Sequence, residues 1–466
     1  MTRETSLRIM VVVVALILWF VPPPEGVSVQ AWHMFAIFIS AIFSVIINAM
    51  PILIAAIAAM VVLVLTGTLE ASVAYSGFGS GFIWLIVAAF IIGRGVINSG
   101  LGNRIAYCLI AAFGKTTLGL GYAMVFADAI ISAAFPSNTA RSGVLYPIAL
   151  SVATGCGSNP DEATRKKVGA YLMMNSMAGL SISSMLWMTA MAANPTGVAM
   201  AKELGIGVDI TFTTWLLASS VPAILALLVL PWILYKYFPP GDKDTPGAPK
   251  QALAMLREMG SFSRAETITM ITFMGMVLLW ATGPMLGVDK TIVAFLGLTV
   301  LMLSGVITMD DISQSGDALA TLIWFAILYT ISSQLNALGF MSYIGEQLSG
   351  AVAGYSWPVV YVSLMVVYVL IHYLFVSQTA HMLALFGIFL GVAVGAGVPP
   401  ALMAFMLLFA TNFFAMITPQ GSSANVIFVG SGYVTQGEVY KYGALVTAVN
   451  FLIFMIIGTP WILLVT

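Results

Sequence analysis

The chain has 466 residues, of which 60% are hydrophobic and only 8% are charged. Soluble globular proteins carry about 25% charged residues, so this composition excludes an ordinary soluble protein and indicates a membrane protein. The net charge of −1 leaves no basic surplus for a nucleic-acid backbone. Two cysteines and three histidines are too few and too scattered for a disulfide framework or a structural zinc site, and we expect no cofactor.

Long apolar stretches indicate membrane helices, because the strands of a membrane β-barrel would instead alternate over about 10 residues. At about 20 apolar residues per crossing, the first spans are predicted at 7–21, 31–49, 51–67 and 79–97. The stretch 7–21 could pass for a signal peptide, but no small-residue cleavage site follows it. We therefore expect it to be retained as a first span.

A re-entrant hairpin is predicted next. An amphipathic segment at 101–113 precedes an apolar run at 118–135, which stops at the polar tip 136–141 and resumes at 142–152. The two arms are too short to cross separately with a comfortable loop, so they predict a helical hairpin that enters and leaves on one face. A broken helix at 168–193, interrupted by the polar run 181–184, and a span at 211–237 complete the first half.

The second half repeats this plan after a polar linker. Residues 1–237 form the first repeat, 238–266 a cytoplasmic linker, and 267–466 the second repeat. The second repeat has spans at 267–284, 289–307 and 319–338, an amphipathic patch at 340–350, hairpin arms at 356–376 and 382–396 around the tip 377–381, a span at 401–417 with a polar break at 418–425, and a last span at 438–465. The fold class is therefore all-α and polytopic, with about 11 transmembrane helices, two hairpins and broken helices.

An internal duplication is visible in the two tips. Ser377, Thr379 and Ala380 repeat Ser137, Thr139 and Ala140 at a constant offset of 240 positions.

Most Lys and Arg residues near span ends fall on one side, which predicts a cytoplasmic N-terminus and linker. The resulting count of crossings makes the two halves inverted repeats.

Inverted repeats with discontinuous helices place a binding site near the middle of the membrane. Each tip carries two hydroxyls and an amide, which can donate to a carboxylate or coordinate a cation through their oxygens. Because Ser, Asn and Thr also cap helix N-termini, capping remains an alternative. The polar interruptions of the helices leave backbone carbonyls without partners in the helix, and these carbonyls either hold a monovalent ion or complete an anion site. A simple kink without a ligand is the alternative. The candidate lining residues of the breaks are Thr189, Asn194, Gly421, Ser422 and Asn425.

Arg141 and His381 occupy the same position after each tip. A cation at membrane depth is costly unless it meets an anion or water, so both are candidates for charge compensation. The alternatives are a structural pairing of Arg141 with Asp128 and a buried core histidine at His381.

The motifs resemble the divalent anion:sodium symporter family. The resemblance is carried by the two tips with Tyr146-Pro147-Ile148, by the segment 189–195 and by the segment 430–433, and it covers nearly the whole chain. It is greatest to the branch of citrate/succinate and 2-oxoglutarate/malate exchangers. The resemblance implies a homodimer in the lipid bilayer of a bacterial cytoplasmic membrane, with elevator-like transport of a di- or tricarboxylate and no enzymatic activity. The residues that it implies for substrate binding are Ser137, Asn138, Thr139, Ser377, Gln378, Thr379, Thr418 and Pro419.

Sodium coupling is the open alternative. The sodium-coupled branch usually has Asn in the middle of both tips and hydroxyls four positions before each tip serine, whereas this chain has Gln378, Ala133 and Tyr373. If sodium binds, Asn138 and Gly421 are its candidate ligands. We therefore predict an anion exchanger, with a sodium-coupled dicarboxylate or sulfate symporter as the alternative. A membrane enzyme using His372 with Ser377, and a channel, are less well supported by the pattern.

Overall fold

A computed structural model describes residues 3–205, 207, 209–352 and 354–466. Within these residues all regular secondary structure is helical, and the only β feature is an isolated bridge between Thr116 and Asp244. The predicted all-helical class is confirmed.

The first half contains the following helices: α1 (Arg3–Phe20), α2 (Val29–Ile46), α3 (Ile52–Leu65), α4 (Ala71–Ala74), α5 (Gly81–Ser99), α6 (Leu101–Phe113), α7 (Thr117–Ile131), α8 (Asn138–Gly155), α9 (Gly169–Leu186), α10 (Ala193–Glu203) and α11 (Phe212–Tyr237). Short 3₁₀ turns lie at Ser76–Gly79, Ser132–Ala134 and Met188–Ala190.

The linker and the second half contain α12 (Gly247–Glu258), α13 (Arg264–Leu286), α14 (Lys290–Leu303), α15 (Met309–Ser313), α16 (Gly316–Ala337), α17 (Phe340–Val352), α18 (Trp357–Ile371), α19 (Gln378–Gly395), α20 (Pro400–Phe413), α21 (Ser423–Gly430), α22 (Gln436–Ile453) and α23 (Thr459–Val465). 3₁₀ turns lie at His372–Leu374 and Phe414–Ile417, and a π-helical segment, Phe454–Gly458, joins the last two helices.

Ten helical segments of the described chain are long and apolar enough to cross a membrane. They are Val29–Ile46, Gly81–Ser99, Thr117–Ala134, Phe212–Tyr237, Arg264–Gly283, Gly316–Ala337, Trp357–Leu374, Gln378–Gly395, Pro400–Ile417 and Gln436–Val465. Three of them are arms of the predicted hairpins, so length alone does not distinguish an arm from a full crossing.

Two predicted spans are shorter than expected. α3 and α14 have 14 residues each, which corresponds to about 21 Å at 1.5 Å per residue. That length is less than the roughly 30 Å of a hydrocarbon core. The predicted spans 51–67 and 289–307 are corrected accordingly, because α3 ends at a turn that begins at Thr66 and α14 ends at a turn that begins at Ser304.

The two hairpins have the same local construction. α7 and α18 have 15 residues each, both are followed by a three-residue 3₁₀ turn, and α8 and α19 have 18 residues each. The amphipathic helices before them, α6 and α17, have 13 residues each. The predicted helix–tip–helix pattern and its repetition are confirmed, whereas the inversion of the halves stays a prediction.

The linker contains regular structure and hydrogen bonds to the first half of the chain, and it is not simply an extended polar segment. It contains α12, and its backbone pairs with two loops of the first half: Thr117 N donates to Lys243 O at 2.9 Å, and Gly241 N donates to Lys166 O at 2.7 Å. Gln251 Nε2 of α12 donates to Ser151 O of α8 at 3.2 Å. The linker is therefore fastened to the first hairpin.

The described chain divides into two compact units. Unit 1 comprises Met1–Val87, Pro195–Asp209 and Gly316–Leu408, and unit 2 comprises Ala88–Asn194, Ile210–Ser315 and Phe409–Thr466. Each unit draws segments from both sequence halves. The first tip and both helix breaks belong to unit 2, and the second tip belongs to unit 1.

Gly443 of α22 provides a test of the packing around the second break. A Cβ at this position would lie closer to the backbone carbonyl oxygen of Met416 than van der Waals contact allows. Because this oxygen belongs to the backbone, a change of side-chain rotamer cannot relieve the clash. We expect Gly443→Ala to destabilise the protein by about 1–3 kcal/mol, because the 3₁₀ turn must shift. Thermal unfolding of the detergent-solubilised protein, followed by tryptophan fluorescence, measures the effect.

The matched control is Gly437→Ala on the same helix, where an added Cβ has no neighbour within 4 Å. It should leave the unfolding temperature unchanged or slightly raised. Equal unfolding temperatures for both variants would contradict the packing assigned to Gly443.

Candidate functional site

Both tips begin a helix with the same serine cap. The backbone angles are φ −145° and ψ 122° at Ser137, and φ −144° and ψ 122° at Ser377. Each hydroxyl accepts a hydrogen bond from the backbone N–H three residues later, that of Ala140 or Ala380, at 3.3 Å. The capping alternative is therefore observed in both tips. One cap leaves further N–H groups of the first turn without intrahelical partners, and these can still donate to an anion.

The tip residues also share a pattern of exposure. Asn138 and Gln378 are each 6% exposed, whereas Ser137 and Ser377 are half-buried. Thr139 is exposed and Thr379 is half-buried. The serine and threonine of each tip are thus accessible, while the amide residue between them points into the protein.

Asn138 is held by a buried polar network whose centre is Arg141. The guanidinium donates to Asp128 Oδ2 at 3.0 Å and Oδ1 at 3.1 Å, to Ser183 Oγ at 2.7 Å and to Leu180 O at 3.1 Å. The same group donates to Asn138 Oδ1 and to Ser184 Oγ, both at 2.5 Å. This network connects α7, α8 and α9.

Arg141 and Asp128 are 0% and 1% exposed. The pairing that the sequence left as the alternative for Arg141 is therefore the contact observed. Because the carboxylate of Asp128 neutralises the guanidinium, Arg141 does not present an uncompensated charge in this arrangement. The expectation of charge compensation by Arg141 is corrected to that of a residue that orients the tip amide.

The first helix break contacts the first tip. Thr189 Oγ1 donates to Ala133 O at 2.8 Å, and Ala192 N donates to Pro136 O at 2.8 Å. The break lies between Leu186 and Ala193, after the serine run 181–184 that was predicted to interrupt the helix. That prediction was wrong because Ser183 and Ser184 hydrogen-bond to Leu180 O and to the tip network while the helix continues through them.

Buried asparagines stabilise both breaks. Asn194 Nδ2 donates to Ser184 O at 3.0 Å, and Asn194 Oδ1 accepts from Asn412 Nδ2 at 2.9 Å. Asn425 Nδ2 donates to Ala415 O at 2.7 Å and Thr418 O at 3.1 Å. The amides therefore replace backbone partners that the interrupted helices lose. Asn412 was not predicted, and its signal is a polar side chain in an otherwise apolar span.

The second break also matches the prediction. Thr418 and Pro419 follow the 3₁₀ turn and are buried, and Ser422 caps α21 by accepting from Ala424 N at 3.3 Å. Gly421 lies against Thr418, with its ideal Cβ position 3.1 Å from Thr418 Oγ1. The hydroxyl of Thr418 is buried and forms no hydrogen bond within the described chain. Thr418 is therefore a predicted binding residue of unit 2 whose buried hydroxyl is available for a hydrogen bond to a substrate.

His381 of the second tip lies in an aromatic environment within unit 1. It is 0% exposed, and its ring centroid is 4.4 Å from Tyr368, 4.8 Å from Phe375 and 5.3 Å from His372. This is the surrounding expected for a core histidine. Its role in charge compensation stays a prediction, as does the meeting of both tips at one substrate.

A family model described as the sodium:sulfate symporter transmembrane region matches residues 2–466. The chain belongs to this family. The resemblance to divalent anion:sodium symporters is thereby confirmed. As a member of the sodium:sulfate symporter family, the chain is a multi-pass membrane transporter and not an enzyme.

The relatives of the chain cover nearly all of it. YflS of Bacillus subtilis (strain 168), named as a candidate malate transporter, is 43% identical over 97% of this chain and 94% of its own. The chloroplastic dicarboxylate transporter 1 of Spinacia oleracea is 39% identical over 97% of this chain and 79% of its own. The inner membrane protein YbhI of Escherichia coli (strain K12) is 33% identical over 97% and 96%.

Among solved structures, the YdaH transporter of Alcanivorax borkumensis, described as having an unusual topology, superposes with a TM-score of 0.59 over 87% of this chain and 88% of its own. The sequence identity of 14% limits this likeness to the fold.

Proposed function

We propose that the protein exchanges di- or tricarboxylates of the malate, succinate, 2-oxoglutarate, tartrate or citrate type across a bacterial cytoplasmic membrane. The N-terminus is cytoplasmic, the protein is a homodimer, and an elevator-like movement alternates access to the site. The names of its relatives, which refer to malate and dicarboxylates, support the substrate class.

The observation that carries the proposal of exchange is the orientation of the Asn138 amide. A guanidinium can only donate hydrogen bonds, so the atom of Asn138 that faces Arg141 is the oxygen. This oxygen also accepts from Ser184 Oγ at 2.6 Å. An oxygen that accepts from the Arg141 guanidinium is a poor ligand for sodium. The amide nitrogen at the other end donates to Met191 Sδ at 3.9 Å, a weak acceptor that a substrate carboxylate would replace. This arrangement favours anion binding at the first tip over the sodium site that Asn138 and Gly421 would otherwise form.

Obligatory exchange requires that the protein does not change its access from one side of the membrane to the other without a bound substrate. Ser137, Asn138 and Thr139 of one tip and Ser377, Gln378 and Thr379 of the other supply donors to the substrate, with Thr418 and Pro419 beside them. Movement of these polar groups through the membrane is costly unless an anion accepts their hydrogen bonds. A carboxylate travelling in the opposite direction provides that acceptor.

Uptake of labelled malate into proteoliposomes tests the proposal. Vesicles loaded with unlabelled dicarboxylate should take up label at least about tenfold faster than empty vesicles, and replacement of external sodium by choline should not slow uptake. A competitor panel of malate, succinate, 2-oxoglutarate, tartrate, citrate and sulfate identifies the substrate. Equally fast uptake into empty vesicles under a sodium gradient would instead establish the symporter.

A further inference from the structure

Within unit 2, α11 packs lengthwise against α22 and α23. The rings of Phe238, at the end of α11, and Tyr442, near the start of α22, have centroids 4.7 Å apart. At the other end, Trp461 Nε1 of α23 donates to Leu217 O of α11 at 2.7 Å. The two segments therefore run antiparallel, and the last turn of α11 lies beside the beginning of α22.

Each segment carries an exposed lysine at this shared end. Lys236 lies in the last turn of α11, and Lys441 lies near the start of α22. Lys236 follows Pro222 by fourteen positions, about four helical turns, so both residues project from the same side of α11. Pro222 faces Gly458, whose ideal Cβ position is 3.5 Å from the Pro222 Cβ. Lys236 therefore lies on the side of α11 that is turned towards the other segment.

Aromatic rings surround both ammonium groups. Lys236 Nζ lies 5.2 Å from the ring centroid of Trp232 and 5.6 Å from that of Tyr237. Lys441 Nζ lies 5.2 Å from the ring centroid of Tyr442. Lysines that accompany Trp and Tyr at the end of an apolar helix are typical of the membrane–water interface, where lipid headgroups lie.

Protein carboxylates do not neutralise these two lysines. Neither forms an ion pair with any residue that the structure describes. Glu438, one turn before Lys441, is bound instead by Arg165 at 2.9 Å and by Lys166 at 3.3 Å. Asp242, the first acid after α11, is in the linker segment whose backbone hydrogen-bonds to the loop before α9. The two ammonium groups are therefore available to an external anion.

Both helices also present an exposed apolar stripe that continues from the lysines along the helix. On α22, Ala444, Ala448 and Leu452 follow Lys441 at helical spacing and are exposed. The exposed apolar residues of α11 share a stripe in the same way, and they are Leu217, Val221, Ile224, Leu228 and Trp232. A ligand that fits this surface has an anionic head and apolar chains.

We infer that the shared end of α11 and α22 binds an anionic phospholipid of the phosphatidylglycerol type. Its phosphate lies between the ammonium groups of Lys236 and Lys441, and its acyl chains cover the two apolar stripes. A second copy of the chain on this face is disfavoured, because a twofold contact would bring the lysines of both copies together. The site shares no residue with the tips or the helix breaks, so it is independent of the proposed carboxylate exchange.

Native mass spectrometry of the full detergent-purified chain tests the inference. The protein is titrated with phosphatidylglycerol or with phosphatidylcholine that has the same acyl chains, and the dissociation constant of the first bound lipid is measured. Wild type should bind phosphatidylglycerol more tightly than phosphatidylcholine. Because one lysine near an anionic headgroup contributes about fivefold in affinity, Lys236→Gln and Lys441→Gln should each weaken phosphatidylglycerol binding about fivefold. The double variant should weaken it roughly 30-fold and leave phosphatidylcholine binding unchanged.

The matched control is the double variant Lys243→Gln with Lys250→Gln. It removes the same charge from two exposed lysines of the linker in unit 2. It should retain the affinity of wild type for phosphatidylglycerol. All four substituted lysines are exposed, so the variants should fold, and their thermal unfolding is measured in parallel.

Four results would overturn the inference. Equal affinities of wild type for the two lipids would show that the surface does not select an anionic headgroup. Unchanged phosphatidylglycerol binding in the double variant of Lys236 and Lys441 would place the lipid elsewhere. Displacement of the lipid by excess inorganic phosphate would identify a site for free anions. A change in the number of copies per particle, with lipid binding retained, would show that this face is an interface between copies.

Discussion

Arg141→Met is expected to destabilise the protein by about 3–5 kcal/mol, because it leaves the carboxylate of Asp128 buried without its cation. Asp128 is 1% exposed, and Ser183 would remain as its hydrogen-bond donor. Less folded protein should survive solubilisation, and its unfolding temperature should fall by several degrees. Size-exclusion chromatography and tryptophan fluorescence measure both quantities.

The double variant Arg141→Met with Asp128→Leu distinguishes the effect of an unpaired buried carboxylate on stability from the effect of the missing guanidinium on uptake. Replacement of a buried ion pair by apolar side chains of similar volume is often neutral for stability, so this variant should regain most of the lost stability. Its uptake should nevertheless stay low, because Asn138 loses the guanidinium that orients its amide oxygen. Stability equal to wild type in the single variant would contradict the ion pair, and full uptake in a folded double variant would contradict the orienting role.

Ser137→Gly and Ser377→Gly are expected to reduce uptake of labelled carboxylate while leaving the protein folded. Alanine would confuse two effects, because each serine is also a helix cap, and loss of a cap to alanine costs about 1 kcal/mol. Glycine at a cap costs only a few tenths of a kcal/mol. Loss of one hydrogen bond to a carboxylate, about 1.5–3 kcal/mol, corresponds to an apparent affinity weakened roughly 10- to 150-fold.

Ser28→Gly is the matched control for this pair. Ser28 caps α2 in the same way, by accepting from Ala31 N at 3.1 Å, and it is exposed. Removal of its hydroxyl should leave the concentration dependence of uptake unchanged. Wild-type affinity in both tip variants would remove the two serines from the substrate site.

The sequence by itself determined the features that depend on neighbours along the chain. Polar tips between apolar arms predicted both hairpins, and the repeated tip residues predicted their identical construction. α6 and α17 begin at or within one residue of the predicted amphipathic segments, and the second break follows the polar run 418–425. These features are local because backbone hydrogen bonds in a membrane must be satisfied within each helix, so composition and periodicity suffice to locate the helices.

Tertiary structure alone decided which buried polar groups are partners. The sequence offered Arg141 either Asp128 or a substrate, and only packing of α7, α8 and α9 brings Asp128, Ser183 and Ser184 around the guanidinium. The same holds in unit 1, where the hydroxyl of Tyr329 on α16 donates to Glu203 at the end of α10, more than a hundred residues away along the chain. The helix of the serine run 181–184 continues for the same reason. Its polar side chains find partners in the fold, and a pattern of residue types does not contain that information.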